Sequence, residues 1–577
     1  MLPTDGAPVS KARTIGWREW SKDAFEDAKR ENKLVLLDLS ASWCHWCHVM
    51  DQSTYSDPEI VKTINDSFVA IRVDIDKRPD ISERYNRGGF PTTAFLSDQG
   101  ESIWGATYLP PSDMKRIIRS IMQAKRSGEI DQALERSRMH YLDLSKALEP
   151  KNPIGPSDLD EIFEDIFASY DVGHGGFGIE PKFPNPDVIE LLLNRYASDK
   201  DDEIVDAVVQ TLDAMIDGLY DKWEGGVFRY SVTRNWRTPH YEKMLETNLG
   251  FLKNLVHAYA VTDTKRFEEH ARGTARYLMT TLRDQNTGSF FGSQDADEEY
   301  YKLSGSERTG RKVPSVDRTV YAGWNARAVS TLIVSGKLLN DDALVDAGIA
   351  AWRHLRDQLW NGQKMLIRHT KSSEDYLFED QAAFFEALLT VLEATGDDSL
   401  PALAEQLVSG VDGGFSSDEG GYNDVLHISG AIGELGNPRR SLVDNSKWAR
   451  TLILFGAGTR RPDLIEKAKG VLASFTRREL EAYGIFGSAY LIARWALEHG
   501  PITVEVHAKP GSEVNPTGIF APAKILLDPA TVVMGVADET ASEPFAIVCT
   551  KEKCLPKAEH PETLSQQMDS LITARRR

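Results

Sequence analysis

Cysteine is scarce in this chain: 577 residues hold four, at positions 44, 47, 549 and 554. So few cannot staple a secreted fold of this length, where disulfides replace a missing core. Long apolar runs are missing too. No stretch approaches the ~20 consecutive apolar residues of a membrane span, and the opening MLPTDGAPVSKARTIGW has no signal-peptide core, so a cytoplasmic protein without a membrane partner is expected. Positive charge is in deficit, 67 Lys+Arg against 87 Asp+Glu for a formal charge of −20, which disfavours nucleic acid as a partner. Low-complexity tracts are absent, and 41% hydrophobic with 27% charged residues is an ordinary globular balance. At one domain per ~150 residues the chain should form three or four domains.

Residues 1–135 read as an α/β domain. A helix over 22–30 precedes the apolar run Leu34–Ser40, suited to a strand buried on both faces. The strand leads into Trp43-Cys44-His45-Trp46-Cys47-His48, and the helical stretch that follows puts both cysteines on a first turn, where free N–H groups and the helix dipole favour a thiolate. Cys44, taken as the more exposed, is the expected nucleophile and Cys47 the resolving thiol. Asp38 lies on the buried strand, where a carboxyl of raised pKa can relay a proton. Further strands are expected at Phe68–Ile75 and Ala94–Leu96, the latter preceded by Phe90-Pro91. A cis proline there, beside the cysteines, would leave the backbone of Phe90 free to pair with a client. Order and spacing resemble a thioredoxin fold. Half of a zinc site is the alternative for the Cys pair, but no second Cys/His pair lies nearby to complete it; no metal and no cofactor are expected.

Over residues 150–500 the pattern changes to helices alone, about a dozen amphipathic stretches joined by alternately short and long connections. Gly-Gly-aromatic turns at Gly175-Gly176-Phe177, Gly225-Gly226-Val227-Phe228, Gly413-Gly414-Phe415 and Gly420-Gly421-Tyr422 mark the long ones, and self-similarity at roughly 50–60 residues signals stacked helix pairs. Six hairpins closing into an (α/α)6 barrel would bring six inner-helix N-termini to one mouth. Thr238-Pro239 reads as N-cap and N1 of an inner helix over 239–261, placing His240 and Glu242 on its first two turns. The mouths also offer Asp221, Arg229, Tyr230, Trp236, Asp295, Asp297, Asn325, Glu379 and Asp380, with His174, Lys182, Asp444 and Asn445. Aromatics, carboxylates and a histidine around a cup suit a small sugar. The alternatives are helix caps for His240, Glu379 and Asp380, and turn residues for Asp295 and Asp297.

Residues 501–577 alternate in Ile502–Val506, Thr531–Met534 and Pro544–Cys549 and end in a helix from about 561, a small α/β unit. Cys549 and Cys554 flank four residues, a spacing that permits a disulfide, two metal ligands or an unpaired buried cysteine.

The strings WCHWCHVM, GHGGFGIEPKFPNP, GGVFRYSVTRNWRTPHYEKMLETN, GSQDADEEY, YAGWNA and LFEDQAAF resemble the signature blocks of the thioredoxin-domain family that includes spermatogenesis-associated protein twenty and its bacterial relatives. The resemblance runs nearly end to end and implies a thioredoxin-like domain fused to a six-hairpin barrel like that of N-acylglucosamine 2-epimerases and six-hairpin glycosidases. The chain departs from the family at Phe90, where relatives carry Trp, at Glu246-Thr247-Asn248, where they carry Tyr-Asp-Asn, and at Asp444, where they favour Gly.

Three functions compete. The first is a thiol–disulfide oxidoreductase with a thioredoxin-type redox client, whose catalytic residues are Cys44, Cys47, Asp38 and Pro91 and whose barrel binds or processes a carbohydrate-like ligand. The second is a sugar epimerase working through His240, or a glycosidase working through carboxylates such as Asp221, Glu242, Asp295 and Glu379. A non-enzymatic binding scaffold is the third.

Overall fold

The structure is a computed structural model that describes residues 14–146, 154–426, 431–509 and 528–574. Contacts divide the chain into two units, Met1–Pro150 with Ile428–Pro438, and Lys151–His427 with Arg439–Arg577.

The first unit is built around β1 (Leu34–Ser40), preceded by α1 (Lys22–Arg30). The Ser21 hydroxyl caps α1 by accepting the Ala24 N–H, Asp23 sits in its first turn, and Lys29 and Arg30 close its last, each sign matching the dipole. Every residue of β1 from Leu34 to Leu39 is buried, which explains a run that is apolar except for Asp38. After β1 come α2 (His45–Gln52), α3 (Pro58–Ser67), β2 (Phe68–Asp74), α4 (Pro79–Tyr85), β3 (Thr92–Leu96), β4 (Ser102–Ala106), α5 (Pro111–Ser127) and α6 (Glu129–Lys146). The sheet order is β2-β1-β3-β4, with β1 parallel to β2 and antiparallel to β3. This is a thioredoxin-like sheet. Residues 431–438, which fall inside the helical region by sequence, group with this unit: the Tyr85 hydroxyl accepts the Glu434 N–H at 2.9 Å and Arg84 Nε donates to the Glu434 carbonyl at 2.9 Å. Such pairings, some 350 residues apart along the chain, leave no local pattern to read.

The second unit is a closed ring of helix hairpins. In chain order its helices are α7 (Pro156–Ala168), α8 (Pro186–Asp199), α9 (Asp202–Gly218), α10 (Leu245–Thr262), α11 (Lys265–Tyr277), two single turns α12 (Glu298–Tyr301) and α13 (Gly305–Arg308), α14 (Ala322–Leu339), α15 (Asp342–Gln358), α16 (Phe378–Thr395), α17 (Leu400–Phe415), α18 (Leu442–Gly458), α19 (Pro462–Ala473), α20 (Arg477–Tyr483) and α21 (Ser488–His499). Helices α8, α10, α14, α16, α18 and α21 touch in that order, and α21 returns to α8. Outside them lie α9, α11, α15, α17, α19 and α7, each against its own inner helix. The inner helices are covered on most sides and therefore apolar nearly all round: α16 buries Phe378, Phe384, Phe385, Leu388, Leu389 and Leu392 among others. Outer helices keep one polar face, as α11 does by burying Phe267, Ala271 and Tyr277 while Lys265, Glu268 and Arg272 pair outside.

The sequence places an inner helix at 239–261, but α10 begins at Leu245. Pro239–His240 instead forms β6, paired with β5 (Tyr230–Ser231), and Lys243–Met244 forms β7, paired with β8 (Ser293–Gln294), itself paired with β9 (Val316–Asp317). Thr238 is therefore no cap; His240 stands on strand β6 and Glu242 in the link between β6 and β7, neither of them on a helix. A proline that starts a strand pairs through its carbonyl alone, so its fixed φ gave no means of telling strand from helix.

Beyond the hairpin β10 (Trp360–Asn361) and β11 (Leu366–Ile367), the tail supplies β12 (Ile502–Ala508), β13 (Thr531–Ala537), β14 (Phe545–Cys549) and α22 (Pro561–Ala574). The sheet order is β13-β12-β14, packed through Ile502, Val504, Val506, Val548, Leu564 and Met568. The Val533 N–H donates to Glu393 of α16 at 3.0 Å, fastening the tail to the ring. No described helix is long and apolar enough to cross a membrane.

Candidate functional sites

In the first unit, Cys44 is the N-cap of α2 and its Sγ accepts the Cys47 N–H at 3.2 Å, while the two sulfurs form a disulfide. Sulfur thus stands where a helix presents free donors and the positive end of its dipole, the setting that stabilises a thiolate once the bond is reduced. Both cysteines are 3% exposed, so Cys44 is not the more open one, as the sequence reading had it; its advantage is its place at the cap. Phe90–Pro91 is a cis peptide, and the Phe90 ring meets Trp43 edge-on at 6.4 Å, next to the Cys pair. Trp46, half exposed, lies between the two cysteines in sequence.

Asp38 is buried and held by Arg72 Nε at 2.7 Å and the Tyr55 hydroxyl at 3.3 Å. Burial pushes its carboxyl up to about 6 against the pull of the Arg72 guanidinium, and the Asp51 carboxylate adds to the rise. Arg72 also pairs with Asp51 and lies 4.3 Å over the Trp17 ring.

In the ring, the first turns of the inner helices repeat one device. The fourth residue of each of α10, α14, α16 and α18 is an amide: Asn248, Asn325, Gln381 and Asn445. Each accepts the N–H and donates to the C=O of one residue in the preceding hairpin loop, Val227, Phe290, Ile367 and Tyr422 in turn. Each also donates to the N-cap carbonyl of its own helix. Asn325 is fully buried and engaged in this way, so it positions a loop and is not open to a ligand. The glycine pairs explain themselves alongside: Gly226 has φ +76 and a Cβ there would meet Tyr277 at 2.6 Å, so only glycine fits.

Other residues expected at the mouth are scaffold as well. Asp221 is buried between Lys243 Nζ at 2.7 Å and Arg308 at 2.8 Å, and Lys182 repeats the arrangement one hairpin earlier, with Asp171 at 2.9 Å. Trp236 is buried with its indole N–H on the His174 carbonyl at 3.1 Å. Asp297 caps α12 through the Tyr300 N–H. Asp380 is buried, bonded to His369 at 2.9 Å and to the Gly323 N–H at 2.7 Å. These contacts remove Asp221, Trp236, Asp297 and Asp380 from an open cup, because carboxylates and an indole placed at loop–helix junctions satisfy the backbone they were taken to project from.

Two groups stay near water. On β5–β6, His240 stacks on Tyr230 at 4.5 Å and Tyr230 on Phe183 at 4.7 Å, with Arg229 over the same tyrosine. His240 Nδ1 lies 3.4 Å from Glu242 Oε1, and Glu242 is buried. Since Lys243 pairs with Gln294, Glu242 and Asp295 continue that antiparallel register as neighbours.

The second group was missed from sequence apart from Glu379 and Asp444. Arg327 of α14 pairs with Glu246 of α10 and lies 3.8 Å from Glu379 of α16, and Lys447 of α18 pairs with Asp187 of α8 at 2.9 Å. Asp187, Glu246 and Glu379 are the second residues of their helices and Asp444 the third of α18, so five inner helices meet in one charged cluster. Arg327 is 21% exposed and Glu246 50%, the signature of a wall open to water from one side. Burial, then the Asp380 carboxylate, raises the Glu379 carboxyl well above the usual carboxylate range against the Arg327 charge; burial also raises the Asp444 carboxyl. The signal that could have found the cluster is the recurrence of an acid at the second position of several inner helices. Deeper along the same helices Glu190 of α8 bridges Lys253 of α10 at 2.7 Å and Arg450 of α18 at 2.9 Å; α21 separates α8 from α18 in the ring, so these charges reach across the lumen.

Residues 9–145 match the thioredoxin-like DsbH family described as protein of unknown function, DUF255. The chain is 31% identical over 307 residues to the uncharacterized protein B0495.5 of Caenorhabditis elegans, covering 49% of this chain and 41% of that one. Spermatogenesis-associated protein 20 of Homo sapiens is 27% identical over 307 residues, 49% of this chain and 39% of its own length. The chain therefore spans about two fifths of the length of these relatives. Thiol:disulfide interchange protein DsbD of Pasteurella multocida is 31% identical over 83 residues, 14% of each chain. Among solved structures a D-mannose isomerase superposes with a TM-score of 0.47 and 10% identity, over 60% of this chain and 100% of that one.

Proposed function

We propose that the DUF255 domain is a thiol–disulfide oxidoreductase. The observation that carries the reading is Cys44 capping α2 with its sulfur on the Cys47 N–H, and the likeness to an interchange protein over 83 residues supports it. In the dithiol form the Cys44 thiolate attacks one sulfur of a client disulfide and expels the other as a thiolate. Cys47, freed of its proton, then attacks the Cys44 sulfur, closes the Cys44–Cys47 disulfide and releases the client as a dithiol. Asp38, with its pKa near neutrality, is the group assigned to take that proton; the backbone of Phe90 before Pro91 is assigned to hold the client strand. The test is dithiothreitol-driven insulin reduction: catalysis by the whole protein that vanishes in Cys44→Ser supports the reading, and no catalysis by the wild type refutes it.

A second reading concerns the ring. Two carboxylates, two carboxyls of raised pKa, an arginine and a lysine on a wall open to water form a site for a small polyhydroxylated ligand, because each hydroxyl can donate to a carboxylate and accept from a cation. Glu379, its carboxyl raised by burial, is assigned to give up a proton there, as an isomerase or a glycosidase requires. Thermal shifts against neutral, amino and uronic sugars test it, since a ligand of the native state raises Tm by RT ln(1 + [L]/Kd). A shift that Arg327→Ala abolishes and Cys44→Ser leaves intact supports a sugar-handling ring; no shift with any sugar class refutes it.

A further inference from the structure

Water reaches further into the ring than its charged wall. Glu246, Lys253 and His257 fall on one stripe of α10, because steps of seven and four residues return to the same side of a helix. Glu246 meets Arg327 of α14, so Lys253 and His257 face the lumen with it. Exposure falls along this stripe, from half for Glu246 to 27% for Lys253 and 6% for His257. On α8 it falls likewise, from Asp187, a third exposed, to Glu190, which is buried. Outer helices surround these inner ones, and the water that wets Lys253 in the middle of α10 therefore enters from the mouth. From Glu246 to His257 the stripe is about 16 Å long at ~1.5 Å per residue. The tail crosses the far end. Glu393, on the same stripe of α16 as Glu379, accepts the Val533 N–H at 3.0 Å, and Arg450 Nε donates to the Pro529 carbonyl at 3.3 Å. The lumen is thus a slot open at the helix N-termini and closed at the other end.

At its floor, Glu190 holds Lys253 and Arg450, and the charges of all three act on His257, which puts the four side chains together. Burial, then the Lys253 charge, pushes the His257 imidazole down to about 3, so the ring is neutral. Its Nε2 is buried without a hydrogen-bond partner, as are both amide atoms of Asn254, one turn away on α10, and the amide nitrogen of Asn194 on α8. Buried polar atoms are seldom left unanswered, because each costs free energy unless it is bonded. Glu190, Glu386 and Asp528 all act on Arg450, so the floor has no surplus of positive charge and does not call for an anion. Free donors and acceptors side by side suit hydroxyl groups, which both give and take hydrogen bonds.

We infer that this floor is a second subsite of the ring, and that the ring takes the end of a polyhydroxylated chain at least two sugar units long, one unit at the wall of Arg327 and Glu379 and the terminal unit against His257, Asn254 and Asn194. The inference deepens the sugar-handling reading and rests on it. A slot closed at one end admits a chain by its end, and this one is deeper than a single sugar ring.

Thermal shifts of the full-length protein with glucose, mannose and galactose, set against those with maltose, mannobiose and lactose at equal concentration, test it. At least one disaccharide is expected to bind about tenfold more tightly than either of its component sugars, the factor that one or two added hydrogen bonds supply. His257→Leu and Asn254→Leu should each erase that gain and keep the monosaccharide shift, with the unliganded Tm unchanged or raised, since the atoms removed have no partner in the fold. Equal shifts from monosaccharides and disaccharides, abolished together by Arg327→Ala, overturn the inference and leave the sugar-handling reading standing. A disaccharide gain that survives in both leucine variants does the same. A leucine variant that loses its fold contradicts the free polar atoms from which the inference starts, and overturns it. No shift with any sugar overturns the sugar-handling reading and the inference with it.

Discussion

In the first unit the candidate reactive groups come from one strand–helix junction: Cys44 and Cys47 lie within a turn of each other, β1 carries Asp38, and the cis proline lies just before the neighbouring strand. In the helical ring, Asp187, Glu246, Arg327, Glu379, Asp444 and Lys447 come from five helices and 261 positions of chain, and each is ordinary in its own helix. The first site is made by local geometry, with tertiary packing adding burial. The second exists only once six hairpins close. Residues that look reactive in isolation, such as Asp221 and Asn325, turn out to hold the hairpins in place, and the open positions fall to helix residues with no local distinction.

The sharpest break between the two regions is expected from Cys44→Ser. It should reduce insulin-reductase activity to the uncatalysed background and leave ring stability unchanged, read from native-state amide exchange in α10 and α14. Reductase activity retained in this variant would remove the cysteine site from the comparison altogether.

The converse experiment is Lys243→Met. It leaves Asp221 with one cation in place of two at a buried site, and removing a partner from such a cluster costs about 3–5 kcal/mol. The ring should lose that much in amide-exchange stability while insulin reduction stays at the wild-type rate. Asn325→Ala is expected to follow at about 2–4 kcal/mol, because it strands the Phe290 N–H and C=O away from water. A loss under ~0.5 kcal/mol, the range of neutral surface changes, would mean that the amide is not the pin described above.

Asp38 provides a pH test within the first region. Its folded pKa of about 6 exceeds the ordinary value of 3.8, so the native state binds the proton more tightly than the unfolded one. This contribution is full below pH 4, is lost as pH rises through 6, and is flat above. The change amounts to about 3 kcal/mol at 1.36 kcal/mol per pKa step. Asp38→Asn should flatten the stability profile between pH 4 and 6, measured by urea unfolding at each pH; an unchanged slope would place the carboxyl in its ordinary range.

The smallest stability effect is expected for Glu379→Gln. An amide replaces a carboxyl already protonated near neutrality, so Tm should shift by no more than a neutral surface change does, within about ±0.5 kcal/mol, while any sugar-induced shift is lost. A large destabilisation would assign Glu379 to the scaffold beside Asp380.

Local chemistry carried a good deal of this protein in its sequence. The apolar run of β1, the cysteine pair at a helix start, the helical periodicity of the ring and the alternating tail strand β12 all express interactions between residues a few positions apart, and these were legible. The start of α10 was not, because Pro239 satisfies a helix N1 and a strand start equally, and only the pairing of His240 with Tyr230 distinguishes them. Nor was the grouping of residues 431–438 with the first unit, or the engagement of Asn325 with a loop 35 residues away. Whether a polar residue at a helix N-terminus faces a lumen or a loop depends on where the neighbouring hairpin lies once the ring has closed, a constraint imposed by packing and by the need to satisfy every buried backbone group; it belongs to the tertiary structure alone.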